Sequence, residues 1–351
     1  MKNSSKYSIK YILTRLVIVY FMVLSTEIKA NVFSDSTFFY RDGLAKIETK
    51  EYLKAIEDFS KAIQIAPNYT EAYCHRGLTY SVLGYFDQAY QDFLKANALN
   101  PKSICAVSNL AIEEEKLGMY HKSIKHFTQA IALDSTDLDF HTRRGTVSFN
   151  IGDFNAALND FAFVIQKFPS FTDARLHYAV CLFELKQFNE SLVQADIVVN
   201  EAPNDANALV KRGKVKAALG DHSNALKDFS KAIELVDDNY DYYILRAESE
   251  FALGNNQNAI IDCDKAVNLD NFMAEAYLLR AKIYNLIGKP VYSIEDCTKV
   301  LENIPNYKEA FWNRAQYRIK VKDFTGACAD LTETLNLGEQ GAAVLMKKYC
   351  K

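Results

Sequence analysis

Small, apolar and polar positions recur along this chain with a period of 34 residues. Within one period the apolar residues stand three or four positions apart in two successive stretches, and Phe86, Ala89, Tyr90 and Phe93 belong to one of these. This spacing places the apolar side chains on one face of an α-helix. Each period therefore predicts two amphipathic helices of about 12 to 14 residues. The nine periods, called repeats 1 to 9, start at residues 36, 70, 104, 138, 172, 206, 240, 274 and 308, and the last ends at residue 341.

Three places within each repeat carry the clearest size pattern. The eighth place is always glycine or alanine, the twentieth is always alanine or serine, and the twenty-fourth is phenylalanine in five repeats. Small residues allow two helix axes to approach closely, and the phenylalanine is expected to fill the gap between repeats. Because one helix pair cannot bury its apolar face alone, stacked repeats are expected to share one continuous core. The twenty-fourth-place residues are Phe59, Phe93, Phe127, Phe161, Ala195, Phe229, Cys263, Cys297 and Leu331.

Glycine and proline mark the ends of the predicted helices. The fifteenth place is glycine in six repeats and the thirty-second is proline in five. Glycine after a helical pattern ends a helix, and proline prevents its continuation. Repeat 5 departs most from the pattern, with Lys186 in place of the glycine and Ala195 in place of the phenylalanine. Residues 339–351 predict one further helix, which would cap the last repeat.

This pattern resembles the tetratricopeptide repeat (TPR) family. In repeat 2 the matching residues are Arg76-Gly77-Leu78-Thr79-Tyr80, Gly84, Ala89, Phe93, Ala96 and Pro101. The resemblance covers residues 36–341. It implies an all-α, right-handed α-solenoid, or superhelix, of nine helix–turn–helix repeats with a C-terminal capping helix. It also implies a protein that holds an extended peptide or a partner helix in a concave groove.

A charged pair accompanies the size pattern. Arginine stands at the seventh place in six repeats, and in all six the twenty-third place is aspartate, whereas repeats 3 and 5 lack both charges. Coincidental surface charge is the alternative, but this covariation favours two side chains in contact. We predict a structural ion pair between the two helices of each repeat. The predicted pairs are Arg76 with Asp92, Arg144 with Asp160, Arg212 with Asp228, Arg246 with Asp262, Arg280 with Asp296, and Arg314 with Asp330.

The concave groove would be formed by the first helix of each repeat. Its second, fifth, ninth and twelfth places face the same way, opposite the packed eighth place. The phenylalanines at the twelfth place have two interpretations, since they could line the groove or pack between helices. No three consecutive repeats carry the Lys, Asn and Arg set with which some family members clamp a carboxylate tail. The candidate groove residues are Thr142, Thr146, Phe149, Leu176, Val180, Phe183, Lys214, Glu248, Phe251, Lys282, Asn285 and Trp312.

The N-terminal residues have the composition of a secretory signal peptide. Residues 1–15 contain four basic residues and no acid, nine apolar residues follow from Leu16 to Leu24, and a polar stretch leads to Ala30. This arrangement predicts a signal peptide at residues 1–30 and a leader at 31–35. An uncleaved anchor is the alternative, but nine helical residues rise only about 14 Å, short of the roughly 30 Å of a bilayer core. We expect an exported protein with no stable membrane span after cleavage, in the periplasm or cell envelope or, alternatively, secreted.

Charge and motif content exclude several classes of function. The net charge is -3 and the isoelectric point is near 6.1, which argues against a nucleic-acid binder. The six histidines are scattered, and helix ends account for most glycines, so that no metal-ligand, phosphate-loop or nucleophile motif remains. We expect no catalytic residue, metal or cofactor. The acidic run Glu113–Glu115 is expected to form a solvated helix face.

The seven cysteines are too few for a disulfide-built fold, although an exported chain could oxidise them. Cys328 on the last repeat helix and Cys350 at the end of the capping helix form the one predicted disulfide. Cys263 and Cys297 occupy the same place in adjacent repeats, and helix axes about 8 to 10 Å apart are beyond disulfide reach. Both are therefore expected in the core. No partner is evident for Cys74, Cys105 and Cys181.

Two classes of function fit these observations. The first is a non-catalytic scaffold that binds a peptide or protein partner in the concave groove, in an exported compartment. The second is a structural or assembly subunit of a cell-envelope complex, which would use the convex face or the edges. An enzyme is disfavoured, because no group of ionisable residues with a catalytic spacing is present.

Overall fold

The computed structural model describes residues 35–350, and this part of the chain contains helices and no strand. The predicted signal peptide lies outside the described residues. The chain forms two compact bodies, an N-terminal body that ends at Phe168 and a C-terminal body that begins at Pro169. None of the helices in the described part has the length and apolar character that a membrane crossing requires.

The N-terminal body contains repeats 1 to 4 as consecutive helix pairs. Its first helix, α1, is described over residues 35–48. From α2 onward each helix of this body packs against the next one. The following helices are α2 (Tyr52–Ile65), α3 (Thr70–Val82), α4 (Phe86–Leu99), α5 (Ile104–Lys116), α6 (Tyr120–Leu133), α7 (Leu138–Asn150) and α8 (Phe154–Lys167).

The C-terminal body contains repeats 5 to 9 and a capping helix, and its helices also pack in chain order. From α3 onward, every first helix begins at the residue where the 34-residue period starts a repeat. The predicted all-α solenoid of helix pairs is confirmed. The helices of this body are α9 (Thr172–Glu184), α10 (Phe188–Glu201), α11 (Ala206–Ala218), α12 (His222–Leu235), α13 (Tyr240–Ala252), α14 (Asn256–Leu269), α15 (Ala274–Leu286), α16 (Pro290–Asn303), α17 (Lys308–Lys320), α18 (Phe324–Asn336) and α19 (Gly341–Tyr349).

The turn inside each repeat has a left-handed backbone. The fifteenth place has a positive φ in all nine repeats, between 61° and 82°. Six of these residues are glycine, and the other three are Lys50, Lys186 and Lys322. A side chain in this conformation costs roughly 1 to 2 kcal/mol. Lys186 in repeat 5 therefore makes the turn less favourable than glycine would, but the helix still ends at the same place of the repeat.

The small eighth place accommodates the phenylalanine ring of the same repeat. In the four repeats with glycine at the eighth place, a β-carbon there would lie 2.5–3.1 Å from the nearest atom of that ring. All five rings are completely buried. Within a body such a ring can also reach the next repeat, since Phe93 clusters with Ala106 and Leu110 on α5. Repeat 3 combines Ala111 with Phe127, which shows that one methyl group can be accommodated there.

All six predicted ion pairs are formed. In each pair the Nε and Nη2 atoms of the arginine donate to the two carboxylate oxygens of the aspartate, at 2.6–3.0 Å. The aspartate side chains are 3–8% exposed and the arginine side chains 13–24% exposed. Buried bidentate pairs of this kind are stronger and more geometrically specific than surface pairs. They join the two helices of their own repeat.

Each of these arginines also reaches the preceding repeat. The Nη1 atom donates to the side chain at the twenty-fifth place of that repeat, at 2.5–3.3 Å. One guanidinium therefore connects three helices. Repeat 1 has no such arginine, and there Lys46 at the eleventh place pairs with Asp58 instead. Lys216 and Arg318 occupy the same eleventh place and add a second cation to their aspartates, each at 2.8 Å.

The acidic run on α5 is less exposed to solvent than the sequence predicted. Glu113 and Glu114 are each only 1% exposed, so the expected solvated face is wrong for both. Ser81 Oγ donates to Glu113 at 2.6 Å, and His126 Nδ1 lies 2.6 Å from Glu114. Repeat 3 lacks the arginine–aspartate pair, and there Glu114 at the eleventh place contacts His126 at the twenty-third, so that the acidic side chain lies on the first helix of the repeat. Its polar contact between helices is therefore retained.

The capping helix α19 closes the last repeat. It begins at Gly341, two residues after its predicted start. Ala342 is completely buried against Ala315 and Leu331, and Trp312 packs against the same cluster. A disulfide joins Cys328 on α18 to Cys350, with 5.6 Å between the two Cα atoms. The apolar end of the stack is thereby covered and covalently fixed.

Candidate functional site

The first helices of the C-terminal body leave two adjoining clefts between them. One has a volume of about 480 Å³ and is lined mainly by α11 and α13, and the other has a volume of about 460 Å³ and is lined by α13, α15 and α17. Glu248 and Glu275 line both clefts. The two clefts therefore form one continuous groove, which we call the α11–α17 groove.

The floor of the α11–α17 groove is apolar. Val210, Ile244 and Leu278 occupy the fifth place of repeats 6 to 8 and line the groove. These side chains are only 6–8% exposed, because most of their surface packs into the core beneath. A bound segment would therefore contact a fixed apolar floor whose shape the core packing determines.

One edge of the groove is acidic. Asp241, Glu275 and Glu309 stand at the second place of repeats 7 to 9, and all three are exposed. Each lies in the first turn of its helix, where a carboxylate also stabilises the helix dipole. Burial raises the pKa of the Tyr307 hydroxyl group, which lines the groove, and the negative charges of Glu275 and Glu309 raise it further. The two carboxylates therefore act on the interior of the groove. An acidic edge above an apolar floor favours a segment with apolar and basic side chains.

Charges alternate along the ninth place of the same helices. Lys214, Glu248 and Lys282 follow one another in repeats 6 to 8, and all three are exposed. Burial raises the pKa of Glu248, and the positive charges of the two lysines oppose this shift. Lys282 Nζ lies 5.1 Å from the centre of the Phe251 ring. The groove therefore offers both signs of charge beside its floor.

The structure separates the predicted groove residues into different environments. Lys214, Glu248 and Lys282 line the α11–α17 groove, whereas Val180 and Phe183 line a smaller cavity next to it. Leu176 is a core residue, 7% exposed. The Asn285 side chain accepts a hydrogen bond from Lys320 at 2.7 Å. In the N-terminal body, the hydroxyl groups of Thr142 and Thr146 donate to carbonyl groups of their own helix.

The aromatic candidates pack between helices. The ring centres of Phe149 and Phe154 are 5.4 Å apart, and those of Phe183 and Phe188 are separated by the same 5.4 Å. Phe251 packs against a core cluster that includes Ala247 and Ile260. Trp312 packs against the capping helix, which a reading of the repeat alone cannot anticipate. The twelfth place therefore serves mainly the contact between the two helices of one repeat.

Two places that the sequence pattern did not indicate supply most of the remaining lining of the α11–α17 groove, and Tyr242 and Tyr317 add one residue each from two others. The sixth place is adjacent to the fifth on the helix surface, and the thirty-fourth place is the residue just before each first helix. Both vary in residue type between repeats, so that no periodic signal marks them. These lining residues are Lys211, Leu245, Leu279, Asn313, Asn239, Met273 and Tyr307.

A second disulfide, absent from the sequence prediction, joins Cys74 on α3 to Cys105 on α5, with 6.4 Å between the Cα atoms. It connects the fifth place of repeat 2 to the second place of repeat 3. The remaining cysteines, Cys181, Cys263 and Cys297, are buried free thiols. Burial raises the pKa of each to about 12. In the described residues no three His, Cys, Asp or Glu side chains are grouped to hold a metal ion.

Helix pairs stacked in chain order define an all-α repeat protein. Four family models, described as tetratricopeptide repeat or TPR repeat, match residues 43–84, 70–103, 152–212 and 210–276. Together they cover more than half of the 351 residues. The chain therefore belongs to the tetratricopeptide repeat family. None of these four matches is to an enzyme family, and no curated protein sequence matches significantly.

Solved structures of TPR proteins are similar in fold. A tetratricopeptide repeat protein from Parabacteroides merdae ATCC 43184 is 17% identical, with 71% of this chain and 98% of that chain covered and a TM-score of 0.52. YrrB, a TPR protein described as having an unusual peptide-binding site, is 22% identical, with 55% of this chain and 97% of that chain covered and a TM-score of 0.50. At these identities the similarity concerns the fold.

Proposed function

We propose that this protein is a non-catalytic interaction scaffold that binds an extended peptide, or an extended segment of a protein partner, in the α11–α17 groove. The observation that carries this proposal is the continuity of two clefts of about 480 and 460 Å³ across four consecutive repeats. A groove of this length suits an extended chain, since its apolar floor can take alternate side chains and its edges can pair with charges. The peptide-binding description of YrrB, a protein of similar fold, supports the same reading.

Charge reversal at the acidic edge tests this function. In the double variant Glu275→Lys and Glu309→Lys, peptides selected from a random library on the full-length protein are expected to bind about tenfold more weakly, because two favourable charges become repulsive. Isothermal titration calorimetry on the selected peptides measures the change.

A matched control reverses two exposed acids away from the groove, Glu234→Lys and Glu295→Lys on α12 and α16. This variant has the same net charge as the groove variant, so it accounts for long-range electrostatics. Equal affinities of the groove variant and the control would place the binding surface elsewhere. In that case the convex face becomes the candidate.

The second candidate function is assembly through the convex face. Val193, Ile261 and Val291 lie on the second helices α10, α14 and α16, and each is about half exposed, at 56%, 48% and 57%. Exposed apolar side chains on a helix face mark contact sites when they form a contiguous patch. The groove remains the preferred site, because it combines a continuous cleft with charged edges.

We further propose that the protein acts in an exported compartment. The basic and apolar N-terminal residues support this, and so do the two disulfides, because disulfides persist in oxidising environments and are rare in a reducing cytosol. The periplasm or cell envelope is the preferred location, and secretion is the alternative.

Counting free thiols tests the oxidising compartment. Protein isolated without reductant and then denatured is expected to take up three alkyl groups, on Cys181, Cys263 and Cys297, and seven after reduction. The native protein should take up none at pH 8, because the three buried thiols have pKa values of about 12 and stay protonated well above that pH. Mass spectrometry gives the counts. Seven alkyl groups without reduction would argue for a reducing compartment.

A further inference from the structure

The last two turns of the C-terminal body differ in charge from the three turns before them. The comparison covers the thirteenth to nineteenth places of each repeat, which contain the turn between its two helices. In repeats 5 to 7 these places carry three acids and one lysine, a net charge of -2. In repeats 8 and 9 they carry three lysines and one acid, a net charge of +2. The helix-pair fold therefore does not require the basic character of the last two turns.

The end of the capping helix belongs to the same surface. Phe324 in the turn of repeat 9 stacks on Tyr349 of α19, with 5.7 Å between the ring centres. Lys320 Nζ donates to Asn285 Oδ1 at 2.7 Å and so connects the turns of repeats 8 and 9. Cys350, which follows Tyr349, is bound to α18 by its disulfide, and this holds the end of α19 in place. We call this surface the terminal edge, and it consists of residues 286–292, 320–326 and 347–349.

The terminal edge is basic. Its five lysines and one aspartate give it a net charge of +4. All five lysines are exposed, and none forms an ion pair with a described residue. Asp323, the one acid, already lies 3.5 Å from Arg318. The positive charge is therefore available to a partner. The five lysines are Lys289, Lys320, Lys322, Lys347 and Lys348.

Exposed apolar side chains stand between these lysines. Leu286, Val291 and Tyr292 are 63%, 57% and 51% exposed. Lys289 Nζ lies 6.0 Å from the centre of the Tyr292 ring, so that charged and apolar groups are interleaved. Contiguous apolar side chains on a surface mark a contact with a protein or a membrane. Less exposed apolar residues of the same edge are Ile287, Val321 and Phe324.

We propose that the terminal edge binds the surface of a bilayer that contains anionic lipids. Apolar side chains that project from turns can enter the boundary between headgroups and acyl chains, where a tyrosine ring is also favoured. The lysines beside them can reach lipid phosphate groups while their methylene chains stay on apolar surface. An acidic protein would match the charge, but it would also need a separate pocket for each projecting side chain. The protein lies on the membrane by this edge and does not span it.

The inference goes beyond the proposed function and does not rest on it. The α11–α17 groove is lined by the beginning and middle of the first helices, whereas the terminal edge lies where first helices end. A protein held by this edge therefore keeps its groove open to a peptide.

Vesicle flotation with the full-length, oxidised protein tests the inference. Vesicles of phosphatidylglycerol and phosphatidylcholine are compared with vesicles of phosphatidylcholine alone. The anionic vesicles are expected to bind the protein at least about tenfold more tightly, and high salt should weaken this binding because it screens the lysines. Poly-glutamate serves as a soluble polyanion that has no apolar interior. It should compete only weakly, because it cannot bury the apolar side chains.

Two double variants separate the contributions of charge and apolar contact. Lys289→Gln with Lys322→Gln is expected to weaken binding to anionic vesicles about thirtyfold, because each lysine near an anionic surface strengthens binding about fivefold. Leu286→Gln with Val291→Gln is expected to weaken it about tenfold, because two apolar side chains no longer enter the bilayer. All four side chains are exposed, so both variants should fold, which circular dichroism verifies.

The matched control is Lys227→Gln with Lys265→Gln. It removes two exposed lysines on α12 and α14, away from the terminal edge, and changes the net charge by the same amount as the first variant. Its binding to anionic vesicles should equal that of the wild type.

The inference fails if the wild type does not float with anionic vesicles, if it binds both vesicle types equally, or if the lysine variant binds like the control. Full displacement by poly-glutamate, with the leucine–valine variant unaffected, would assign the edge to an acidic protein instead. The proposed function is judged separately on the library peptides, without vesicles. The lysine variant should bind those peptides as the wild type does, so either proposal can fail while the other holds.

Discussion

Replacing Asp228 by alanine is expected to reduce the free energy of unfolding of the C-terminal body by about 3 to 5 kcal/mol. Asp228 accepts from Arg212 at 2.6 and 2.9 Å and from Lys216 at 2.8 Å, and its side chain is 5% exposed. Without it, Lys216 loses its partner, Arg212 keeps only the more exposed Asp196 at 3.1 Å, and the two cations repel each other. The penalty of an uncompensated buried charge exceeds the modest net value of the pair itself.

Urea unfolding followed by circular dichroism measures this loss, and hydrogen exchange locates it. Because repeat arrays are stabilised mainly by neighbouring contacts, protection should fall first in α11 and α12. The control is Glu302→Gln, which breaks a surface ion pair between Glu302 and Lys299. Their side chains are 55% and 59% exposed, respectively. That change should cost about 0 to 1 kcal/mol. A similarly small loss for the Asp228 variant would show that water screens the arginine–aspartate pairs as it does a surface pair.

Replacing Phe229 by alanine is expected to reduce the free energy of unfolding by about 3 to 5 kcal/mol. The ring is completely buried and lies against Gly213, which has no side chain to move into the vacated space. It also belongs to a cluster with Leu209 on α11 and Ala232 on α12. The loss should appear in urea unfolding and as faster hydrogen exchange in α11 and α12.

Phe272 provides the control for this second change. It is 65% exposed in the connection before α15, so that Phe272→Ala should alter stability by about 0.5 kcal/mol or less. Repeat 5 gives an internal comparison, because it naturally carries Ala195 at the twenty-fourth place, where repeat 6 carries Phe229. If Phe229→Ala proved as mild as the control, the size pattern would not be the source of the packing energy.

Periodicity was sufficient for the contacts that every repeat makes in the same way. The arginine–aspartate pairs were predictable because both charges vanish together in repeats 3 and 5. The related pairing of Lys46 with Asp58 was present in the sequence at a fixed separation, but only three repeats carry a cation at the eleventh place. A pattern present in only three of nine repeats can be recognised only when the structure shows which helices are in contact.

Contacts between non-equivalent places were beyond the sequence pattern. Cys74 and Cys105 are 31 residues apart, which is neither a full period nor a helical spacing, and their pairing depends on how α3 and α5 lie side by side. The burial of Glu113 and Glu114 likewise depends on Ser81 and His126 from other helices.

The sequence by itself determined the helix pairs, the residues at which the repeats start, the family and the arginine–aspartate pairs of six repeats. These follow from local periodicity, because an amphipathic helix and its small-residue contacts repeat identically at every period. The tertiary structure decided which side chains face open space. The exposure of a residue depends on the volume of its neighbours across a helix interface, as Trp312 beneath the capping helix and the small cavity lined by Val180 and Ala195 both illustrate.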